Sequence, residues 1–220
     1  MRLDLHIHSS HSMDATASPG DILSQCRRVG LGGCSITDHN SFGGSSAALA
    51  ATKDDGFVVV RGIEVSTSEG HVLAYGMSEV IPKGLPLAEV IERIEGNGGL
   101  AVAAHPRRFP SGMGMDAVVS AGFRAVEVLN GGSSARANRA AAALAKTHAL
   151  APVGGSDAHE LDEIGRAYTI VEDCCSEDDV IAAISKGCSS VGGRSRTRTE
   201  GMAYAYETLS DWLRRGMDRV

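Results

Sequence analysis

Histidines and acidic residues recur in this sequence at one kind of position, the point where an apolar, strand-like run ends. The first such run alternates apolar and polar residues, and this period of two predicts a β-strand. Leu3, Leu5 and Ile7 would share one face, so His6 and His8 would project together from the other. Two imidazoles spaced in this way can reach one divalent metal ion. An ordinary strand with two surface histidines explains the pair alone equally well.

Strand-like runs and helix-like segments then follow each other in regular succession. Residues 57–65, for example, predict one strand that is covered on both faces. The succession predicts a parallel sheet wrapped by helices, either an open doubly wound sheet or a closed barrel. We favour an α/β, TIM-like barrel, because the carboxyl ends of its strands form one ring in which active sites are built. The ring would gather His6, His8, His39, Glu64, His105, Asn130, Asp157 and His159.

Composition excludes several classes of protein. A hydrophobic content of 43% and a charged content of 22% are typical of a globular domain. No apolar run approaches the roughly 20 residues of a membrane-spanning helix, and the start of the chain lacks a signal-peptide pattern, so we expect a cytoplasmic protein. Five cysteines without C-x-x-C spacing predict reduced thiols. The net charge of -6 argues against a protein that coats polyanions, but it allows a local positive site.

The last part of the chain reads as an accessory segment. We predict a barrel domain over residues 1–193 and a tail over residues 194–220. The tail carries three alternating arginines, Arg194, Arg196 and Arg198. An apolar stripe predicts that its helix packs on the barrel, and the stripe consists of Met202, Tyr206, Leu209, Leu213 and Met217.

Six ordered motifs between residue 3 and about residue 193 resemble those of the PHP family, named for polymerase and histidinol phosphatase. The motifs are residues 4–9 followed by Asp14, then Thr37-Asp38-His39-Asn40, Gly62-Ile63-Glu64, His71, Ala104-His105-Pro106 and Gly155-Ser156-Asp157-Ala158-His159. This resemblance implies a distorted (βα)7 barrel with a trinuclear metal centre. Most members of the family hydrolyse phosphate esters.

Carried over residue by residue, the resemblance implies nine ligands for up to three divalent ions. They are His6, His8, Glu64 and Asp157 for one ion, Glu64, His71 and His105 for a second, and Asp14, His39 and His159 for a third. His11 is a rival for the position of Asp14. Mixed imidazole and carboxylate ligation suits Zn, Mn or Fe. Glu64, Asp157 and His159 would have catalytic roles.

The implied charges favour an anionic substrate, because three divalent ions outweigh the three carboxylates that hold them. A metal-activated hydroxide would attack phosphorus in line. Four residues are candidates for binding the substrate: Arg107, Arg108, Asn130 and Arg194. Of the adjacent pair, Arg107 is preferred, although both arginines could be solvated loop charges and Asn130 could cap the next helix. Asp4 and Asp38 are candidates for orienting histidines.

The expected function is therefore metal-dependent phosphoesterase activity on a small phosphorylated metabolite, a nucleotide or an oligonucleotide end. No obligate protein partner is evident. Three alternatives remain open at this point. They are a non-catalytic, metal-stabilised PHP domain, a phosphatase of the histidinol phosphate type, and metal-assisted hydrolysis of an amide or ester.

Overall fold

The computed structural model describes residues 1–52, 56–108, 110–197 and 199–202. Within these ranges the strands are β1 (Arg2–Ile7), β2 (Gly33–Ile36), β3 (Val58–Val59), β4 (Gly62–Ser66), β5 (His71–Tyr75), β6 (Leu100–Ala103), β7 (Ala125–Asn130), β8 (Ala151–Gly155), β9 (Ala167–Val171) and β10 (Ser189–Gly193). The helices are α1 (Pro19–Arg28), α2 (Gly43–Ala51), α3 (Leu87–Gly96), α4 (Met115–Ser120), α5 (Ala135–His148) and α6 (Glu177–Ser185). A short 3₁₀ helix covers Leu161–Glu163.

The strands form two five-stranded sheets, so the fold is mixed α/β. The first sheet has the order β10-β9-β1-β2-β3, and the second has the order β4-β5-β6-β7-β8. The predicted closed (βα)7 barrel is wrong for the described residues, since no continuous ladder closes the two sheets into one. Three single bridging pairs link them instead: Ile7 with Ala158, His39 with Glu64, and Ser134 with Arg196.

The prediction of a purely parallel sheet is also wrong. β4 and β5 pair antiparallel, as do β5 and β6, β1 and β9, and β9 and β10. The four-residue turn at residues 67–70 joins β4 to β5, and this is too short for the crossover that a parallel pair needs. Residues 57–65 divide into β3 and β4, which lie in different sheets. Between them, Arg61 turns its main-chain N–H to the Glu177 carboxylate at 2.7 Å.

Three clusters of buried apolar residues form the core. An inner cluster takes residues from both sheets, among them Leu3 and Leu5 of β1 and Leu73 of β5. Two outer clusters lie under the helices, one under α3 and α4 and the other under α1 and α2. Ile7 belongs to the cluster under α1, so the prediction that it shares a face with Leu3 and Leu5 is wrong.

The cause of this difference lies in the pairing of β1 with β2. The register of that pair shifts between Asp4 and Ile7. A register irregularity interrupts the alternation of faces along a strand. His6 lies within the shifted stretch and His8 just beyond it; both are buried, and both rings point toward Glu64 of the second sheet.

Several local features of the fold follow from the residues themselves. Helix α1 begins with Ser18 as its N-cap and Pro19 in the first turn, and the Ser18 hydroxyl accepts the Asp21 N–H at 3.2 Å. All five cysteines are free thiols. No helix in the described part of the chain is long and apolar enough to cross a bilayer. Most of the predicted C-terminal helix, from residue 203 onward, lies outside the described residues, as does Arg198.

Candidate metal centre

The predicted ligands lie at one end of the two sheets. In the first sheet, His6 and His8 stand at the end of β1, and His39 follows β2. In the second, His105 follows β6, and Asp157 and His159 follow β8. His71 opens β5 and still reaches this end, because the antiparallel hairpin places it opposite Ser66, two residues after Glu64.

Main-chain hydrogen bonds between the sheets fix the backbone beside these residues. Asp157 N–H donates to the His6 carbonyl at 2.7 Å, and His8 N–H donates to the Ala158 carbonyl at 2.9 Å. On the other side, Glu64 N–H donates to Asp38 at 3.2 Å. The sheets are therefore joined at the site itself, directly beside the residues whose side chains form it.

The carboxylate of Glu64 is the centre of the site. It is fully buried, and its Oε1 lies 2.9 Å from both His71 Nδ1 and His105 Nε2. Its Oε2 lies 3.1 Å from His39 Nδ1, 3.4 Å from His8 Nε2 and 3.5 Å from His6 Nε2. None of these three contacts is a hydrogen bond, so Oε2 is a buried acceptor without a hydrogen-bond partner in the described structure. Burial raises the pKa of Glu64, but His71, His6 and His39 hold it well below its usual value.

Four groups of side chains have ligand atoms that lie within 4.8 Å of one another. The groups are His8, Asp14, His39 and His159; His6, Glu64 and His105; His6, His8 and Asp157; and His39, Glu64 and His71. Together they contain all nine predicted ligands. The grouping differs from the prediction in placing His6 with His105, His39 with His71, and His8 with Asp14, His39 and His159. Which residues hold which ion stays a prediction.

The donor atoms of the inner groups suit a cation. His6 Nδ1 lies 3.0 Å from a carboxylate oxygen of Glu127, which only accepts, so Nδ1 carries the hydrogen. The other nitrogen, Nε2, faces His8 Nε2 at 3.3 Å and Asp157 Oδ1 at 3.6 Å. Burial lowers the pKa of His6, yet the charges of Glu127 and Glu64 raise it to about 10. The surroundings of His6 therefore favour a positive charge among imidazole and carboxylate atoms, and a divalent ion with such ligands can supply that charge.

The outer part of the site is more open to solvent. Asp14 Oδ2 lies 3.2 Å from His159 Nε2 and 3.4 Å from His39 Nε2. Burial raises the pKa of Asp14, but the two histidines lower it further and keep it below its usual value. His11 is exposed and belongs to none of the groups found among the described residues.

The four candidates for substrate binding do not all lie beside the predicted ligands. Arg108 contacts Asp157 Oδ2, whereas the preferred Arg107 is exposed. Asn130 Nδ2 donates to Glu127 at 3.0 Å and to Asp157 at 3.2 Å, and its Oδ1 is a buried acceptor without a hydrogen-bond partner among the described residues. Arg194 binds Glu200 of the tail at 2.8 and 2.9 Å. The structure therefore places Arg108 and Asn130 beside the cluster, and Arg194 in an ion pair within the tail.

Three residues next to the ligands were missed or interpreted differently from the sequence. Glu127 was not singled out, although a carboxylate in the apolar run of β7 is the signal that could have revealed it. Asp4 and Asp38 accept main-chain N–H groups, from Ser156 at 2.8 Å and from Ser9 at 2.6 Å, and the structure shows them orienting backbone rather than imidazole rings.

Sequence comparisons place the chain among known proteins. The sequence model of the PHP domain matches residues 4–92, and the model described as PHP-associated matches residues 135–188. An uncharacterized protein of Methanocaldococcus jannaschii is 38% identical over 116 residues, which are 48% of this chain and 68% of that protein. The 3′,5′-nucleoside bisphosphate phosphatase of Chromobacterium violaceum is 31% identical over 84 residues, which are 36% of this chain and 29% of that protein.

A solved structure shares the fold. It is a two-domain protein of Bacteroides vulgatus, described as containing a predicted PHP-like metal-dependent phosphoesterase. The two structures agree with a TM-score of 0.73 at 17% identity, over 94% of this chain and 69% of that chain. The ordered motifs, the matched sequence models and the shared fold lead to one conclusion: the chain is a member of the PHP family.

Proposed function

We propose that this protein hydrolyses a phosphate ester, on a small phosphorylated metabolite, a nucleotide or an oligonucleotide end, with bound divalent metal ions. Water adds to phosphorus, the bond from phosphorus to the ester oxygen breaks, and the products are an alcohol and phosphate. The observation that supports this most is the convergence of nine imidazole and carboxylate side chains around Glu64, whose Oε2 has no hydrogen-bond partner in the described structure.

We assign the nine ligands as the sequence predicts. In the sets that the family resemblance implies, His6, His8, Glu64 and Asp157 would hold one ion, Glu64, His71 and His105 a second, and Asp14, His39 and His159 a third. Zinc, manganese and iron all suit this mixture of donors. Ions bound there would supply Lewis acidity toward phosphate oxygens and toward water. Glu64, Asp157 and His159 keep their catalytic assignment, because Glu64 lies at the centre of the cluster, Asp157 contacts Arg108, and His159 Nδ1 lies 3.8 Å from Asp157 Oδ1.

Arg108 and Asn130 would bind and orient the substrate. The Arg108 guanidinium is mostly buried and contacts Asp157, so it lies within reach of a phosphate held at the ligands. A guanidinium presents paired N–H donors that match phosphate oxygens. The Asn130 amide is oriented by two carboxylates, which leaves its Oδ1 free to accept a hydrogen bond from a substrate hydroxyl. Arg107 and Arg194 are weaker candidates, since one is exposed and the other is paired with Glu200.

The relatives support this class of substrate without deciding it. The protein of Chromobacterium violaceum is named for activity on nucleoside bisphosphates, and the match covers only part of each chain. A phosphate ester on a nucleoside is therefore a reasonable first member of a substrate panel.

Phosphate release from such a panel tests the proposal. The protein is loaded separately with zinc, manganese or iron and incubated with nucleotides, sugar phosphates, histidinol phosphate and phosphorylated oligonucleotides. We expect turnover of at least one ester with one metal and none after chelation. Metal binding without hydrolysis of any ester would contradict the proposal and favour the non-catalytic alternative. Hydrolysis of acyl substrates alone would favour metal-assisted amide or ester cleavage.

A further inference from the structure

Glu127 is a fully buried carboxylate that the proposed chemistry does not use. It lies in β7, where its neighbours Val126 and Val128 pack into the cluster under the helices, so Glu127 points to the interior between the sheets. Burial of a carboxylate costs several kcal/mol unless it is paired or hydrogen-bonded. The contacts of the Glu127 carboxylate must therefore offset the cost of burying it.

Its two oxygens have different partners. Oε1 lies 3.0 Å from His6 Nδ1. Oε2 accepts the main-chain N–H of His105 at 2.8 Å and the side-chain N–H of Asn130 at 3.0 Å. His6 belongs to the first sheet, whereas His105 follows a strand of the second. One carboxylate thus contacts two predicted ligands that come from different sheets.

We propose that Glu127 is a positioning residue for the metal centre, which fixes the ring orientation and the tautomer of His6 and the backbone at His105. A carboxylate only accepts hydrogen bonds, so His6 must donate its Nδ1–H to Glu127. The lone pair of neutral His6 is then on Nε2, the nitrogen that faces Glu64 and Asp157. This inference rests on the proposed ligation by His6, but not on the identity of the substrate.

The backbone of His105 gives a second reason for the carboxylate. His105 has a φ of +25°, a value that residues other than glycine rarely adopt. The hydrogen bond from its N–H to Glu127 helps hold this conformation, and its Nε2 lies 2.9 Å from Glu64. Glu127 therefore supports the His105 ring through the main chain and the His6 ring directly.

The isosteric variant Glu127→Gln separates these roles from simple space filling. A glutamine has one accepting oxygen and one donating nitrogen, whereas the site presents donors to both positions. If the amide nitrogen faces His6, the ring must accept at Nδ1 and protonate Nε2, the nitrogen needed for ligation. If it faces His105 and Asn130, donors oppose donors. Neither orientation satisfies the site, although the shape is unchanged.

Zinc binding and imidazole NMR spectra of the full chain test the proposal, with no dependence on turnover. We expect Glu127→Gln to weaken zinc binding by about 10- to 100-fold, as loss of a partner that orients a ligand typically does. In zinc-loaded wild-type protein, His6 should show an Nδ1–H signal, and in the variant this signal should shift or disappear, because an amide oxygen accepts more weakly than a carboxylate and an amide nitrogen does not accept at all. Glu95→Gln is the matched control, because this exposed carboxylate pairs only with Arg124 at the surface among the described residues.

The outcomes distinguish a positioning role from a structural one. Unchanged zinc affinity of Glu127→Gln, or a His6 Nδ1–H signal that keeps its wild-type chemical shift, would overturn the proposal. If Glu127→Gln does not fold, Glu127→Asp keeps both accepting oxygens and shortens their reach, so we expect weaker zinc binding by a smaller factor. Wild-type affinity in Glu127→Asp would then contradict the proposal. Failure of all phosphate esters in the substrate panel would leave these zinc measurements unaffected.

Discussion

The inner and outer halves of the candidate metal centre differ in how they are held. The inner half is His6, His8, Glu64, His105 and Asp157, and the outer half is Asp14, His39, His71 and His159. Inner side chains are at most 2% exposed, whereas outer ones are 18 to 26% exposed. Buried charges interact more strongly because water screens them less. We therefore expect the inner half to retain its ions and the outer half to exchange them.

The two halves also differ in the contacts that hold their residues in place, and the inner half is again the more firmly held. The His6 ring and the His105 backbone contact Glu127, and the backbone beside His6 is held by Asp4 and by hydrogen bonds between the sheets. In the outer half, Asp14 lies on a surface loop, and its contacts are the imidazoles of His39 and His159. The Ser12 hydroxyl accepts the His39 N–H at 2.9 Å, which is a weaker contact than the buried carboxylate of Glu127 provides in the inner half. The predicted ligands that are held most firmly in place are therefore the buried ones, from which water is excluded.

Removing an inner ligand should have the largest effect. We expect His6→Ala or Asp157→Ala to lose inner metal and to abolish turnover, a larger loss than the roughly 10- to 100-fold typical of residues that only orient ligands. Metal content by mass spectrometry and phosphate release measure the two effects, and circular dichroism should show a folded chain. A variant that kept full activity without inner metal would break the comparison.

Removing an outer ligand should have a smaller effect on metal content. We expect Asp14→Ala to lose one class of ion while the inner ions change in affinity by less than about tenfold, because Asp14 contacts outer histidines more closely than inner ones. A titration of metal-free protein with zinc should resolve the two classes. Loss of all metal from Asp14→Ala would show that the halves are not independent.

Arg108 sharpens the comparison, because it contacts the inner residue Asp157 but is not a predicted ligand. We expect Arg108→Ala to raise KM about tenfold or more, since a hydrogen bond to a charged group contributes about 1.5 to 3 kcal/mol. Metal content should stay the same. Steady-state kinetics on the best ester of the panel, with Arg93→Ala as a surface control, would measure this. An equal KM in both variants would remove Arg108 from the binding site.

The smallest effect is expected far from both halves. Glu89 and Arg93 form an exposed ion pair one turn apart on α3, at 2.7 Å. We expect Arg93→Ala to change the free energy of unfolding by less than about 0.5 kcal/mol, as is usual for exposed pairs. Urea unfolding would measure it. A larger change would mean that stability is not concentrated in the core and at the junction of the sheets.

The sequence predicted the place of the site better than the topology around it. The polar residues that follow the apolar runs correctly predicted one shared site at the end of the sheets. Each of these runs forms a strand, and most of these strands end at the site. The turn between β4 and β5 was not recognised as a hairpin, so the sheet was expected to be parallel. His71 lies at the site only because of this hairpin, since the first residue of a parallel strand would lie at the opposite end of the sheet.

Other failures have equally physical causes. A period of two says which residues alternate, but it does not reveal the register shift that moves Ile7 away from the face of Leu3 and Leu5. Glu127 lies in an apolar run and carries no motif of its own, and its role depends on an imidazole 121 positions earlier. Such a pair is visible only when the sheets are assembled.

The contacts between the start of the chain and β8 have a consequence for biosynthesis. The Ser156 hydroxyl lies 3.3 Å from the His6 carbonyl, across a separation of 150 residues. During translation the first histidines leave the ribosome long before the aspartate that faces them exists. A nascent chain therefore has no complete chelating pocket, and ion capture must follow the release of most of the polypeptide.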